Sequence, residues 1–358
     1  MSAEKVELGR HLFYDPRLSG PGTIACATCH QQARAFTDGL PRARGATGEL
    51  HPRSAMSLTN VAYNVRLGWA DPDLRTLEAQ VRVPLFNEAP IEMGMSGREP
   101  EVLARLARVP LYAELFARAF PDDADPVTIA NASRALASFE RTLVAGDTPY
   151  DRLLFRDDAG ALSESARRGM QLFFSERIGC GRCHAGVNLS GPVARADREP
   201  PEPTYHNTAL YDLGDGRYPA PNEGLFRASA RPRDMGRFRA PTLRNIAVTA
   251  PYMHDGSIAT LEVVIDHYAA GGRAAGNRYK SEGLAGFQIA PRERADLLAF
   301  LQSLTDETFL RDPRFADPFA RYDGSVGAIT GAEVETGSSR SSRKNAASSA
   351  RPASPDLR

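Results

Sequence analysis

Two pentapeptides constrain this chain more than anything else in it: Cys-Ala-Thr-Cys-His at 26–30 and Cys-Gly-Arg-Cys-His at 180–184. Together they use all four cysteines of the 358 residues. Cys-x-x-Cys alone reads as a disulfide, half of a zinc site or a redox dithiol. A four-cysteine zinc site would have to bring together pairs from residues 26 and 180, and it would leave both histidines idle. A redox dithiol has no need of the histidine either. Covalent attachment of c-type haem uses all three residues: the two thiols add to the vinyl groups, and the adjacent imidazole becomes the proximal iron ligand. The chain therefore predicts two covalent haems, one on Cys26, Cys29 and His30, the other on Cys180, Cys183 and His184.

The flanks repeat as well. Gly9-x-x-Leu12-Phe13 precedes the first pentapeptide and Gly169-x-x-Leu172-Phe173 the second. This reads as a duplicated helical module in which the glycine permits close helix packing and the Leu-Phe pair walls the haem. The segment 130–146 carries a helical stripe at Ala135, Leu136, Phe139 and Leu143 and should end at Gly146. The segment 292–305 repeats the stripe with Leu297, Leu298, Leu301 and Leu304. Alternating strand patterns are scarce. The expected fold is mostly α, with two cytochrome c-like helical domains at 1–158 and 159–322, each carrying one covalent haem c, joined by long loops.

With 44 basic and 44 acidic residues, the chain lacks the basic surplus of a nucleic-acid binder. No apolar run approaches the roughly 18–20 residues of a membrane span. Residues 323–358 are rich in Ser, Ala and Arg and read as a disordered tail, with a basic tether as the alternative. Bacteria attach haem c in the periplasm, yet the chain opens MSAEKVELGRHLFYD without a signal peptide. The expectation is a periplasmic protein whose leader was removed, or whose start has been assigned too late.

The reaction depends on what faces each iron. The segment 68–95 holds the only tryptophan, Trp69, together with Gln80, Pro84, Glu88 and Glu92. Its prolines predict a loop. A carboxylate above an open haem site can carry a proton from one peroxide oxygen to the other and so promote O–O cleavage.

Two stretches, TLEAQVRVPLFNEAPIEMGM (76–95) and RFRAPTLRNIAVTAPYMHDGSIATLEVV (237–264), resemble the bacterial di-haem cytochrome c peroxidase/MauG superfamily. The resemblance runs over about residues 5–315. It implies that Gln80, Pro84 and Glu92 form the distal side of the first haem, with Glu92 the acid–base residue and Glu88 the fallback. It also implies that Trp69 relays electron holes between the haems, where a lone tryptophan would otherwise read as core. In this family the sixth ligand of the second haem stands fourteen residues after the histidine of a Pro-Tyr-x-His motif. The peroxidases have methionine there and MauG has tyrosine. Here the motif is Pro251-Tyr252-Met253-His254, and the residue is Tyr268. An anionic phenolate lowers the iron potential, whereas methionine raises it. His267 is the competing ligand, and only one of two adjacent helical residues can face the iron. Thr260 should cap that helix and Gly271-Gly272 stop it.

Further stretches, including SLTNVAYNVRLGWADPDLRTLEAQ (57–80), LASFERTLVAGDTPYDR (136–152) and HNTALYDL (206–213), resemble MbnH-type di-haem enzymes. That resemblance implies hydrogen peroxide as oxidant, a high-valent two-iron state, and oxidation of a tryptophan in an MbnP-type copper-binding partner protein. The rivals are a cytochrome c peroxidase fed by a small cytochrome or copper electron donor, and a non-catalytic di-haem electron carrier. The family also implies calcium, held by the backbone carbonyls of Thr249 and Pro251 with Ser54 or Asn60. The spacing of His51 does not match the displaceable distal histidine of the peroxidases, so the first haem is expected to be open. His11 and His206 read as structural.

Overall fold

The computed structural model describes residues 1–320 except 198 and 200; the expected tail at 323–358 lies outside the described residues. The described helices are α1 (Ala3–Tyr14), α2 (Cys26–Cys29), α3 (Leu77–Phe86), α4 (Glu99–Ala107), α5 (Pro110–Ala119), α6 (Ile129–Glu140), α7 (Pro149–Phe155), α8 (Glu164–Phe173), α9 (Phe226–Ser229), α10 (Leu261–Ala269) and α11 (Pro291–Gln302). Two three-residue strands, β1 (Tyr205–Asn207) and β2 (Arg237–Arg239), pair antiparallel with His206 opposite Phe238. The fold is mostly α, as the patterning predicts.

The duplicated module is built around two helix crossings, α1 on α6 and α8 on α11. Gly9 meets α6 so closely that a Cβ there would lie 2.0 Å from the Ala135 carbonyl oxygen. Gly169 meets α11 in the same way, with a hypothetical Cβ 1.9 Å from the Asp296 carbonyl oxygen. One turn on from those contacts, Phe13 packs on Phe139 with ring centroids 5.2 Å apart at 60°, and Phe173 packs on Phe300 at 5.2 Å and 59°. Burying each such ring contributes about 1.5–3 kcal/mol.

A second repeat lies in the turns Leu-Thr-Asn60 and Leu-Arg-Asn245. Both asparagines are left-handed (φ 57° and 60°), and each starts a single 3-10 turn. Asn60 N–H donates to Leu143 O at 2.9 Å, and its Oδ1 accepts from Ala145 N–H at 2.7 Å. Asn245 N–H donates to Leu304 O at 2.8 Å, and its Oδ1 accepts from Asp306 N–H at 2.7 Å. These bonds correct the expected helix ends. The stripe at 130–146 stops being helical at Glu140, and that at 292–305 at Gln302, because the asparagine turns take over the backbone beyond.

One core cluster gathers α1, α5 and α6 with Leu85, Met95, Phe309 and Phe315. Another gathers Phe173, Leu261, Ile265, Leu297 and Phe300 with Ala70. The last described segment returns to the first pentapeptide, where Gln32 Nε2 donates to Phe309 O and Asp312 O.

The loop expected at 68–95 is corrected in part. Residues 77–86 are helical, so Gln80 and Pro84 stand on α3. Thr76 caps it by accepting from Ala79 N–H, and Leu77, Val81 and Leu85 bury a stripe at helical spacing. Pro84 sits in the last turn and cannot donate to the Gln80 carbonyl, but the buried stripe outweighs that loss.

Candidate active site

The two pentapeptides adopt matching turns. His30 N–H donates to Cys26 O and His184 N–H to Cys180 O, both at 3.0 Å. His30 Nδ1 lies 2.8 Å from Phe36 O, and His184 Nδ1 lies 2.8 Å from Leu189 O. Donation from Nδ1 leaves Nε2 of each ring as a lone-pair ligand. Burial pushes both imidazoles below their ordinary pKa, which keeps them neutral. The two carbonyls come from bulky residues in left-handed backbone, Phe36 at φ 61° and Leu189 at φ 49°. Such conformations cost about 1–3 kcal/mol and cluster at functional sites.

A cavity of about 560 Å³ opens beside the first pentapeptide. Cys26, Cys29 and His30 line it together with Trp69, Gln80, Pro84 and Glu92. The distal residues expected from the resemblance thus meet the first attachment site in one space. Phe13 lines it too, whereas Leu12 is fully buried in the first core cluster. Burial raises the Glu92 carboxyl to about 7. Glu88, by contrast, is exposed and accepts from Ser96 Oγ at 2.5 Å. Gln80 Oε1 is buried without a partner.

Arg239, from β2, also lines the cavity and is 6% exposed. Its hydrogen bonds run to the carbonyls of Gly68 and Ala240, and burial lowers it to about 10. Among the described residues no carboxylate pairs with it. A buried cation without an anion is costly. An orphaned amide oxygen and an unpaired guanidinium fit an iron porphyrin carrying carboxylates. Cys26, Cys29 and His30 would hold it.

Trp69 connects the two halves. Its ring lines the first cavity and also packs against the second core cluster, and its Nε1–H donates to Ser54 O at 3.1 Å.

At the second pentapeptide, Thr260 caps α10 and Gly271 and Gly272 follow its end with positive φ. The adjacent residues His267 and Tyr268 differ sharply. His267 is 5% exposed; its Nε2 lies 2.9 Å from Thr208 O, and its Nδ1 accepts from Arg273 N–H at 3.2 Å. Both ring nitrogens are used. Tyr268 is raised above the ordinary phenol range, first by burial and then by the adjacent Cys183 and Cys180 thiols. Such a phenol ionises only opposite a cation, which suits a metal at His184. His206, expected to be structural, stands beside this site: Nδ1 lies 3.6 Å from Cys183 Sγ. His11 bonds to Glu7 O on its own helix.

The calcium donors are thin. Among the described residues no group of three or more His, Cys, Asp or Glu side chains could hold a metal ion. Asn60 is locked to Ala145 in both directions, and Ser54 Oγ donates to Met253 O. The Thr249 and Pro251 carbonyls do not by themselves make a site.

Sequence reasoning missed Arg239, and it dismissed His51, which lines the first cavity with Nε2 3.9 Å from Glu92 Oε1. Nothing in the sequence around Arg239 signalled it, because its neighbours Phe238 and Ala240 are buried too and no in-and-out alternation marks the arginine.

Comparison with known proteins agrees with this arrangement. Residues 3–159 match the family described as di-haem cytochrome c peroxidase. The methylamine utilization protein MauG of Methylorubrum extorquens is 37% identical over 310 residues, covering 86% of this chain and 80% of that protein. Cytochrome c551 peroxidase of Pseudomonas aeruginosa is 32% identical over 307 residues, covering 85% and 80%. The chain belongs to the di-haem cytochrome c peroxidase/MauG family and is an oxidoreductase of that family. A solved MauG-like protein associated with microbial copper homeostasis shares 46% identity and superposes with a TM-score of 0.87, covering 89% of this chain and 94% of that one.

Proposed function

We propose that this protein uses hydrogen peroxide to oxidise a partner protein. The observation that carries the reading is that His267 has both ring nitrogens tied to the backbone, which leaves the adjacent Tyr268, buried near the Cys180 and Cys183 thiols, as the ligand. Haem c held by Cys26, Cys29 and His30, and by Cys180, Cys183, His184 and Tyr268, would supply the redox-active irons. In the first cavity, Glu92 as carboxylate takes the proton from one peroxide oxygen and returns it to the other. Gln80 and Pro84 shape the space beside His30, and Arg239 would pair with an anionic substituent of the haem. Trp69 touches both halves and relays oxidising equivalents between them. Thr249 and Pro251 remain candidates for calcium through their carbonyls, with no step routed through it.

The partner class follows from the copper-homeostasis relative, which is the more similar of the comparisons above. We place the reaction in the periplasm, where haem c is attached, and name as substrate a tryptophan on a copper-binding protein of the MbnP type.

The test adds stoichiometric peroxide to the diferric holoprotein. A five-coordinate first haem, a six-coordinate second haem and a long-lived near-infrared band are expected, followed by oxidation of a tryptophan on a copper-binding partner. Two six-coordinate haems that ignore peroxide would overturn the reading. Fast turnover with a reduced small cytochrome, and no lasting species, would favour the peroxidase instead.

A further inference from the structure

We propose that His51 is the positioning partner of Glu92, holding its carboxyl group over the first cavity in both of its protonation states. The inference rests on the reading of Glu92 as the proton-moving group. It arises from how the His51 ring is anchored. Nδ1 lies 3.0 Å from Arg53 O and 3.0 Å from Arg53 N. The same main-chain residue therefore offers that nitrogen an acceptor and a donor. When Nδ1–H donates to the carbonyl, Nε2 presents a lone pair and can accept from a protonated Glu92. When Nδ1 accepts from Arg53 N–H, Nε2 carries the proton and donates to an ionised Glu92. Each tautomer matches one state of the carboxyl.

The facing pair is held by backbone as well. His51 N–H donates to Ala43 O at 2.8 Å, and Ala46 N–H donates to Glu92 O at 2.7 Å. A Cβ on Gly45 would lie 1.9 Å from Ile91 O, and Ile91 N–H donates to Glu49 Oε2 at 3.0 Å. The 43–51 segment is thus pinned against 91–92, with both side chains aimed into one cavity. Their separation of 3.9 Å exceeds a hydrogen bond, and a small rotation of either side chain would bring the two atoms within reach.

The charged groups around the pair favour a neutral ring. Burial holds His51 below its ordinary range; the bond to the Arg53 backbone opposes this, and the Arg53 guanidinium adds a smaller push downward. Arg53 in turn faces Arg227, Glu223 and Asp71. The Cys29 thiol is near enough to Glu92 to be raised by its charge, after burial and Asp38. His51 orients the carboxyl through Nε2, whichever tautomer its bonds to Arg53 select.

The test uses the diferric holoprotein with two readouts: the infrared carboxyl band of the resting protein against pH, and the pH profile of the peroxide reaction. In His51→Leu both inflections should rise by about one pH unit, because the carboxylate has lost a donor. The reaction at pH 7 should slow about fivefold with it, as the carboxylate fraction falls from about one half to about one eleventh. His51→Gln, whose amide can flip to present either group, should return both inflections to the wild-type position. If His51→Leu does not fold, His51→Ala serves for the same comparison. Inflections that stay in place or fall in the apolar variant would overturn the proposal, as would a His51→Gln variant that behaves like it. A Glu92→Gln variant separates the layers. If it reacts with peroxide normally, the functional reading falls and this one with it. If it is slowed while His51→Leu is unshifted, only this proposal falls.

Discussion

Glu92 and Glu88 lie four residues apart and end in opposite surroundings. Glu92 lines the first cavity, whereas Glu88 is exposed and bonded to Ser96. Glu92→Gln should therefore slow the peroxide reaction by about 100-fold or more, the scale of a lost acid–base group. Glu88→Gln should change it less than about twofold, since an exposed carboxylate moves no proton at the site. With its carboxyl raised to about 7 by burial, Glu92 loses its basic form as pH falls. The wild-type rate should rise with pH through about 7 and level off above, and the Glu92→Gln profile should lack that step. Stopped-flow mixing across the pH range checks both.

His267 and Tyr268 make the second contrast. Tyr268→Met should abolish the long-lived near-infrared band and raise the potential of the second haem, because a neutral thioether replaces an anionic donor. His267→Ala should leave that haem's spectrum unchanged. It should instead cost about 1–3 kcal/mol of stability through the lost bonds to Thr208 and Arg273. Absorbance and denaturant unfolding on the same samples separate the two effects.

Gly9 and Gly169 show what a sequence can reveal and where it stops. The repeated Gly-x-x-Leu-Phe spacing pointed to close helix packing, because it recurred before both pentapeptides. It did not point to the partners, since Ala135 with Phe139 and Asp296 with Phe300 share only the phenylalanine. A methyl group added at either glycine would stand 2.0 or 1.9 Å from a carbonyl oxygen, and backbone cannot yield as a rotating side chain does. Gly9→Ala and Gly169→Ala should each destabilise the protein by about 1–3 kcal/mol or more. Urea unfolding of the holoprotein measures it.

Asn60 and Asn245 stand in a repeated Leu-x-Asn-Val/Ile-Ala run, at 58–62 and 243–247, that the reading of the sequence passed over. Their shared role appears only once the chain returns from α6 and α11 to bond with them. The left-handed Phe36 and Leu189 were hidden for the same reason, since nothing in their side chains favours positive φ. The distal helix α3 was obscured by its prolines, although its capping threonine and apolar stripe were in plain view. Asn60→Ala and Asn245→Ala should each cost about 2–3 kcal/mol, from a lost buried bond and a left-handed alanine. Asn60→Gly should cost less than Asn60→Ala, because glycine restores the backbone freedom and loses only the amide. Thermal unfolding of the three variants ranks them.

Glu140 gives the final expectation, and its sign follows from burial alone. It sits at the end of α6, lines the first cavity and is 8% exposed. Burial raises its carboxyl to about 8, with Glu78 adding to the rise and Arg141 opposing it. In the unfolded chain the group titrates near 4.3, as roughly any free glutamate does. Between those values the folded protein holds a proton that the unfolded chain has released, so stability falls as pH rises through that window. Glu140→Gln keeps the shape and removes the titration. The variant should gain on wild type steadily from pH about 4 to about 8, reaching a few kcal/mol at the upper end. Denaturant midpoints taken at several pH values should converge at the acid end and diverge at the alkaline end. Parallel curves would mean that Glu140 is already ionised in the folded protein, with a cation beside it that offsets the cost of burial.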